Sequence, residues 1–293
     1  MALNIPRFNR IINLTFYDAA DHEVLKIETP AHGRKPSIEI NGNFYANDTL
    51  GPFNVTVKNL YITLLGKQYS KIKVEAGYEN NTVTFEGTIL TMYQDEPGPE
   101  SKMTIQCQNG KLQNWLNTTV QLDYEAGTTL KKVLEDISSK LQTDGVHMGT
   151  QAATFTLPER LMFDGTARGA MTHIEKLFRA YNLIVYVRNN MLVAICTPGG
   201  DFVQAHVLEY ISAPPQENSG DESGTFYTTI TAPWEPKLQI GDLLTIPSKV
   251  YIRNFVTVGG LSKTQNIQVT ALSFHFATTG GANTMQVQGF IKR

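Results

Sequence analysis

Residues 53–110 read FNVTVKNLYITLLGKQYSKIKVEAGYENNTVTFEGTILTMYQDEPGPESKMTIQCQNG. Ile72, Val74 and Ala76 alternate with Lys71, Lys73 and Glu75, and Ile105 and Cys107 alternate with Thr104 and Gln106. A period of two puts each set on its own side of a pleated strand, so this stretch predicts antiparallel strands with one face in a core. Glu79–Asn80–Asn81 and the run Asp95–Glu100 read as the loops between them, and Leu60, Ile62 and Leu65 as one or two helical turns.

Strand patterns extend to both sides. Ile12, Leu14 and Phe16 alternate, Val24–Ile27 follows a polar turn, and Ser37–Ile40 precedes an expected turn at Asn41–Gly42–Asn43. Near residue 128 the period changes. Leu130, Val133, Leu134, Ile137 and Leu141 form the apolar stripe of a helix, with a threonine cap at Thr128 or Thr129 and Gly145 just past its end. A second helix is expected between Thr166 and Tyr181, with Met171, Ile174, Leu177, Phe178 and Tyr181 on one face. It leads into a hairpin of Leu183–Val187 and Met191–Ile195. The polar run 213–224 reads as an exposed loop, and strands resume at 226–230, 243–246, 267–274 and 284–291. These patterns predict an α+β, mainly β chain of two β-barrel-like lobes with a small α/β unit between them, divided as 1–112, 113–212 and 213–293.

Composition narrows the function. Across 293 residues the formal net charge is −2 and the pI about 6.3, without the basic excess that holds a protein to a phosphate backbone. No stretch reaches the roughly 20 apolar residues of a membrane helix, and the N-terminal residues, broken by Arg7 and Arg10, do not read as a signal peptide. Cys107 and Cys196 sit in strand patterns among apolar neighbours and read as buried free thiols. The six histidines have no metal-ligand spacing, and neither a nucleophile elbow nor a phosphate-binding loop is present. Glu86, Asp164, Glu175, Glu209 and Asp242 flank apolar runs without a placed partner and read as solvated carboxylates. The glycine pairs at 199–200, 259–260 and 280–281 read as hairpin turns. No catalytic, cofactor-binding or metal-binding residue is assigned.

Three blocks carry a family resemblance. Val55–Leu60, Ile72–Tyr78 and Phe85–Ile89 form an ordered strand series. Phe163–Phe178 leads into the Leu183 hairpin. Pro236-x-Leu238-x-x-Gly241-Asp242-x-Leu244-x-Ile246 enters a strand. In this order they resemble the baseplate central hub proteins of tailed, contractile-tail phages. The resemblance implies a structural virion protein rather than an enzyme: a homotrimer, without cofactors, at the centre of the tail baseplate, assembled in the host cytoplasm. It would join the tail tube, or a tube-initiator protein, to the spike, contact other baseplate proteins but no membrane, and meet DNA only in transit through its channel. The competing readings are a cell-wall hydrolase of the tail tip, using acidic residues such as Glu86 or Asp164, and a glycan-binding module using Trp115, Trp234 and the twelve tyrosines as stacking faces. Purified protein should not clear peptidoglycan. Clearing that a single Glu or Asp substitution abolishes would overturn the non-enzymatic reading.

Overall fold

The computed structural model describes residues 9–29, 37–45, 51–59, 69–79, 81–95, 101–109, 117–188, 190–197, 202–208, 210–212, 215–218, 227–248, 251–252, 264–279 and 283–292. The expected helical turn at 60–65, the three glycine pairs, Glu209 and Trp115 lie outside these residues.

The N-terminal part contains β1 (Arg10–Tyr17), β2 (Glu23–Ile27), β3 (Ser37–Tyr45), β4 (Phe53–Lys58), β5 (Lys71–Tyr78), β6 (Asn81–Gln94) and β7 (Lys102–Gln108). The middle contains β8 (Thr119–Tyr124), α1 (Leu130–Leu141), β9 (Val146–Met148), β10 (Leu161–Thr166), α2 (Ala167–Leu177), β11 (Leu183–Arg188) and β12 (Met191–Cys196). The remainder contains β13 (Ala205–Val207), β14 (Tyr210–Ile211), β15 (Gln216–Asn218), β16 (Tyr227–Pro233), β17 (Leu243–Ile246), β18 (Tyr251–Ile252), β19 (Gln265–Ala277) and β20 (Thr284–Lys292).

Most of these strands join one 13-stranded sheet, whose main path is β15-β16-β20-β19-β3-β4-β7-β6-β5-β1-β2. Among the described residues the path ends at β15 and β2 and does not close into a barrel. Strands from both ends of the sequence also share one core, from Ile12 through Cys107 and from Leu208 through Val287.

The junction is β19. Its first residues, Gln265–Gln268, pair with β17, its last, Ala271–Ala277, pair with β3, and β20 runs along its other side. Between the two halves the β19–β20 register shifts, leaving Thr270 as the extra residue of a bulge. A bulge bends its strand and sharpens the local twist, which lets one strand leave one partner and take another. Opposite the bulge, a Cβ on Gly289 would lie 2.2 Å from the Gln268 carbonyl oxygen.

Seven aromatic side chains fill the core behind this junction. Trp234 stacks on Phe274 at 5.0 Å and packs against Phe276 at 4.5 Å. Tyr78 meets Phe276 edge-on, Phe85 and Phe44 lie beside Phe274, and Phe53 meets Phe85. Rings from β3, β4, β5 and β6 thus interlock with rings from β19 and the residue after β16, each contributing roughly 1.5–3 kcal/mol through burial.

The structure corrects the expected turn at Asn41–Gly42–Asn43, because β3 passes straight through it. Ile38, Ile40, Gly42 and Phe44 keep the inward positions, and Gly42 is small because the Phe274 ring covers it. A Cβ there would sit 2.7 Å from Phe274 Cε1. Glycine inside a strand marks such a close approach as readily as a turn. Asn81, expected in a loop, is the buried first residue of β6. The run 213–224 is not all loop either. Gln216–Asn218 forms β15 on β16, where an edge strand needs only its backbone ladder and no inward apolar side chains.

A second core surrounds the two helices and one face of β8–β12. On α1 all five expected apolar residues are buried, and Thr129 caps the start by accepting from the Lys132 N–H. The end differs from expectation: Gln142, in the left-handed region at φ 54°, terminates α1 ahead of Gly145. α2 stops at Leu177, so Tyr181 belongs to a 3₁₀ turn and is 51% exposed rather than on the helix stripe.

Leu134→Asp should lower stability by about 3–5 kcal/mol, through lost burial plus an unpaired buried charge. Unchanged thermal unfolding would contradict this packing. Gly289→Ala should destabilise more than Gly42→Ala, because a backbone carbonyl cannot yield as a phenyl ring can. Denaturant melts of the two variants give the comparison.

Candidate functional site: a buried ionic joint

The β11–β12 hairpin is apolar on both faces, as its near-continuous sequence LIVYV and MLVAI requires of a strand pair buried on two sides. Val185, Val187, Leu192, Ala194 and Cys196 face the helical core. Tyr186, Val193 and Ile195 face the other way and meet Ile240, with Phe44 and Val203 at the border. This small apolar patch seats the middle segment on the large sheet.

At its centre lies a fully enclosed charge cluster. Arg188, the last residue of β11, is 6% exposed, and Asp242, just before β17, is 0% exposed. The guanidinium donates through Nη1 to Asp242 Oδ1 at 2.6 Å and through Nη2 to Oδ2 at 3.2 Å. His206 of β13 lies 3.1 Å from Oδ2 through Nε2, which must carry the hydrogen because a carboxylate only accepts. The Gln239 N–H donates to the same oxygen at 2.9 Å. Arg188 Nη1 and the Tyr186 hydroxyl both donate to the Ile240 carbonyl, at 3.1 and 3.0 Å. Burial pushes the Tyr186 phenol well above its ordinary range, so it stays a neutral donor.

Gly241 permits this arrangement twice over. Its φ is +82°, and a Cβ would fall 1.9 Å from the Tyr186 hydroxyl. Its N–H donates to Val269 O at 2.8 Å and the Val269 N–H returns to Asp242 O at 2.9 Å, fixing the turn to the middle of β19. The Val203 N–H donates to Gly241 O and the Leu243 N–H to Gln204 O, bringing in the β13 side.

The same segment is tied at its other end. Tyr78 donates to the Trp234 carbonyl at 3.3 Å, and Asn81 Nδ2 to Glu235 Oε1 at 2.8 Å. Residues Trp234–Asp242 thus bind the β5–β6 hairpin, the β19 junction and the β11–β12 hairpin together.

The baseplate hub gp41 family profile matches residues 48–250, which include Arg188, His206, Gly241 and Asp242. The chain belongs to the baseplate hub gp41 family. It is a structural hub protein of the phage tail baseplate and so a component of the virion tail. No curated protein matches it in sequence. In fold the hub is similar to the tail protein of Neisseria meningitidis MC58, with a TM-score of 0.59, 9% identity and 97% of each chain covered. The 43 kDa tail protein of prophage MuSo2 from Shewanella oneidensis matches at a TM-score of 0.58 and 10% identity, again over 97% of each chain. The E. coli c3393 protein, a type VI secretion component described as similar to T4 tail proteins gp27 and gp5, matches at 0.54 and 9% identity. That match covers 89% of the hub and 76% of c3393.

The carboxylates singled out from sequence do not converge. Glu86 is exposed opposite Lys73, and Asp164 accepts from Gln121 on the β8–β10 ribbon. Glu175 accepts from the Val185 N–H, and burial raises its carboxyl above the ordinary range against that bond. Asp242 corrects the expectation of a solvated face, since three cooperating donor groups allow a charge to sit at 0% exposure. Trp234, offered as a glycan-stacking face, is 1% exposed inside the aromatic core and cannot serve as one. Among the described residues no three His, Cys, Asp or Glu side chains form a metal site. Cys107 and Cys196 are buried and outside any disulfide, as their strand patterns indicate, and burial pushes the Cys107 thiol up to about 12.

Sequence reasoning missed Arg188 and His206. The available signal was Arg188 ending a hairpin apolar on both faces, where a charge must be paired. Asp242→Ala should cost about 3–5 kcal/mol by stranding the buried guanidinium, and Arg188→Met with Asp242→Leu should recover much of that loss. Additive losses in the double-mutant cycle would show that the two side chains do not act as a pair.

Proposed function

We propose that this hub is a homotrimer at the axis of the baseplate, joining the tail tube, or a tube initiator, to the spike around a passage for DNA. Its work is mechanical and needs no enzymatic chemistry or cofactor. Family membership across residues 48–250 is the observation that carries this reading. The structural similarity of the c3393 protein to T4 gp27 and gp5 supports spike-side partners by analogy of fold.

The division at about residues 112 and 212 belongs to the same proposal. The separate core of the middle segment supports it, as does the fork of the sheet at β19, where β17 and β3 take different halves of one strand. Two β-rich lobes from each of three copies would supply six near-equivalent positions, matching a sixfold tube to a threefold spike. Assembly would take place in the host cytoplasm before the virion is complete.

A reconstruction of the tail should place three copies of this chain around the axis, between tube and spike. A peripheral position without threefold symmetry would reject the central-hub reading.

A further inference from the structure

The outer side of the large sheet, opposite the shared core, changes character along the strand path. On β5 it carries Lys71, Lys73 and Glu75, and Glu86 of β6 stands opposite Lys73. Beyond β6 charge on this side is confined to one end of the strands, where Glu39 of β3 pairs with Lys58 of β4 and Lys102 of β7 stands opposite Lys58. One register row crosses six strands as Thr284, His275, Asn41, Asn54, Gln106 and Thr91. The next row crosses four strands as Thr231, Gln286, Ser273 and Asn43. Neither row holds a Lys, Arg, Asp or Glu. Within them Thr91 donates to Gln106 at 2.8 Å, and His275 is bonded to Asn41. A half-open groove of about 220 Å³ lies over the second row, lined by Asn43, Ser273, Gln286 and Gln288.

We propose that this amide- and hydroxyl-rich belt across β20, β19, β3, β4 and β7 is the wall of the passage, the surface past which the nucleic acid travels. The inference rests on the central-hub reading above. A basic wall would hold phosphates by releasing counterions, while uncharged amides and hydroxyls offer a polyanion only weak contacts. A protein–protein interface would look different at its centre. Interface cores are depleted of charge but enriched in aromatic and Met side chains, and the two rows contain neither. Large apolar side chains occur at the border instead, where Leu90 and Tyr93 of β6 are 54% and 53% exposed. A wetted wall flanked by an apolar contact fits both observations.

The test uses tails carrying Gln106→Cys or Gln286→Cys hub protein. Cys107 and Cys196 are buried, so the introduced thiol supplies the signal. In the dissociated chain each new cysteine should react with a small maleimide and with a bulky polyethylene-glycol maleimide. In intact tails it should keep reacting with the small reagent and lose most of its reaction with the bulky one. Reaction with both in intact tails would put the belt on the outer surface, and reaction with neither would put it in a protein interface. Either outcome overturns this assignment while leaving an axial trimer intact. A reconstruction without the chain at the axis would instead remove the hub reading on which it rests.

Discussion

The pairing of β19 with β3 holds the protein together. It brings residues 271–277 against residues 39–45, across more than two thirds of the chain, and makes one sheet and one core out of strands from both ends of the sequence. Closing so long a loop costs conformational entropy that local contacts cannot offset, since the cost grows with loop length even if slowly. The compensation is the aromatic cluster of Trp234, Phe274, Phe276, Tyr78, Phe85, Phe53 and Phe44, whose members come from both sides of the seam. Gly42 and Gly289 are small so that a ring and a backbone can approach there.

The middle segment is attached by a different device. Apolar burial at Tyr186, Val193, Ile195 and Ile240 gives affinity without direction, whereas the Arg188–Asp242 pair is bidentate and admits essentially one orientation. A buried pair of this kind contributes little net stability compared with apolar side chains of the same volume, so its value lies in specifying how the two parts meet. For a protein whose role is to hold other components in register, orientation matters as much as stability.

Much of the fold was legible in local pattern. The alternation of Ile72, Val74 and Ala76, the α1 stripe and the β11–β12 hairpin each need only their own neighbours to be read. The errors came where distant residues decide. Gly42 looked like a turn because the ring of Phe274, more than 200 residues away, is not visible from its surroundings in sequence. Trp234 looked like a surface platform because its stacking partners lie in β19.

The sequence by itself determined the mainly β character, the two helices, the buried thiols and the ordered blocks that mark the family, because period, capping and turn chemistry act over a few residues. Only the tertiary structure decided that the outer β segments form a single forked sheet, that Gln216–Asn218 adds an edge strand, and that Asp242 is a buried charge. Strand pairing and charge burial depend on which distant backbone and which counter-ion arrive beside a residue. In Pro236–Ile246 the two levels meet: the motif could be recognised from sequence, but the need for Gly241 became physical only once Tyr186 lay against it.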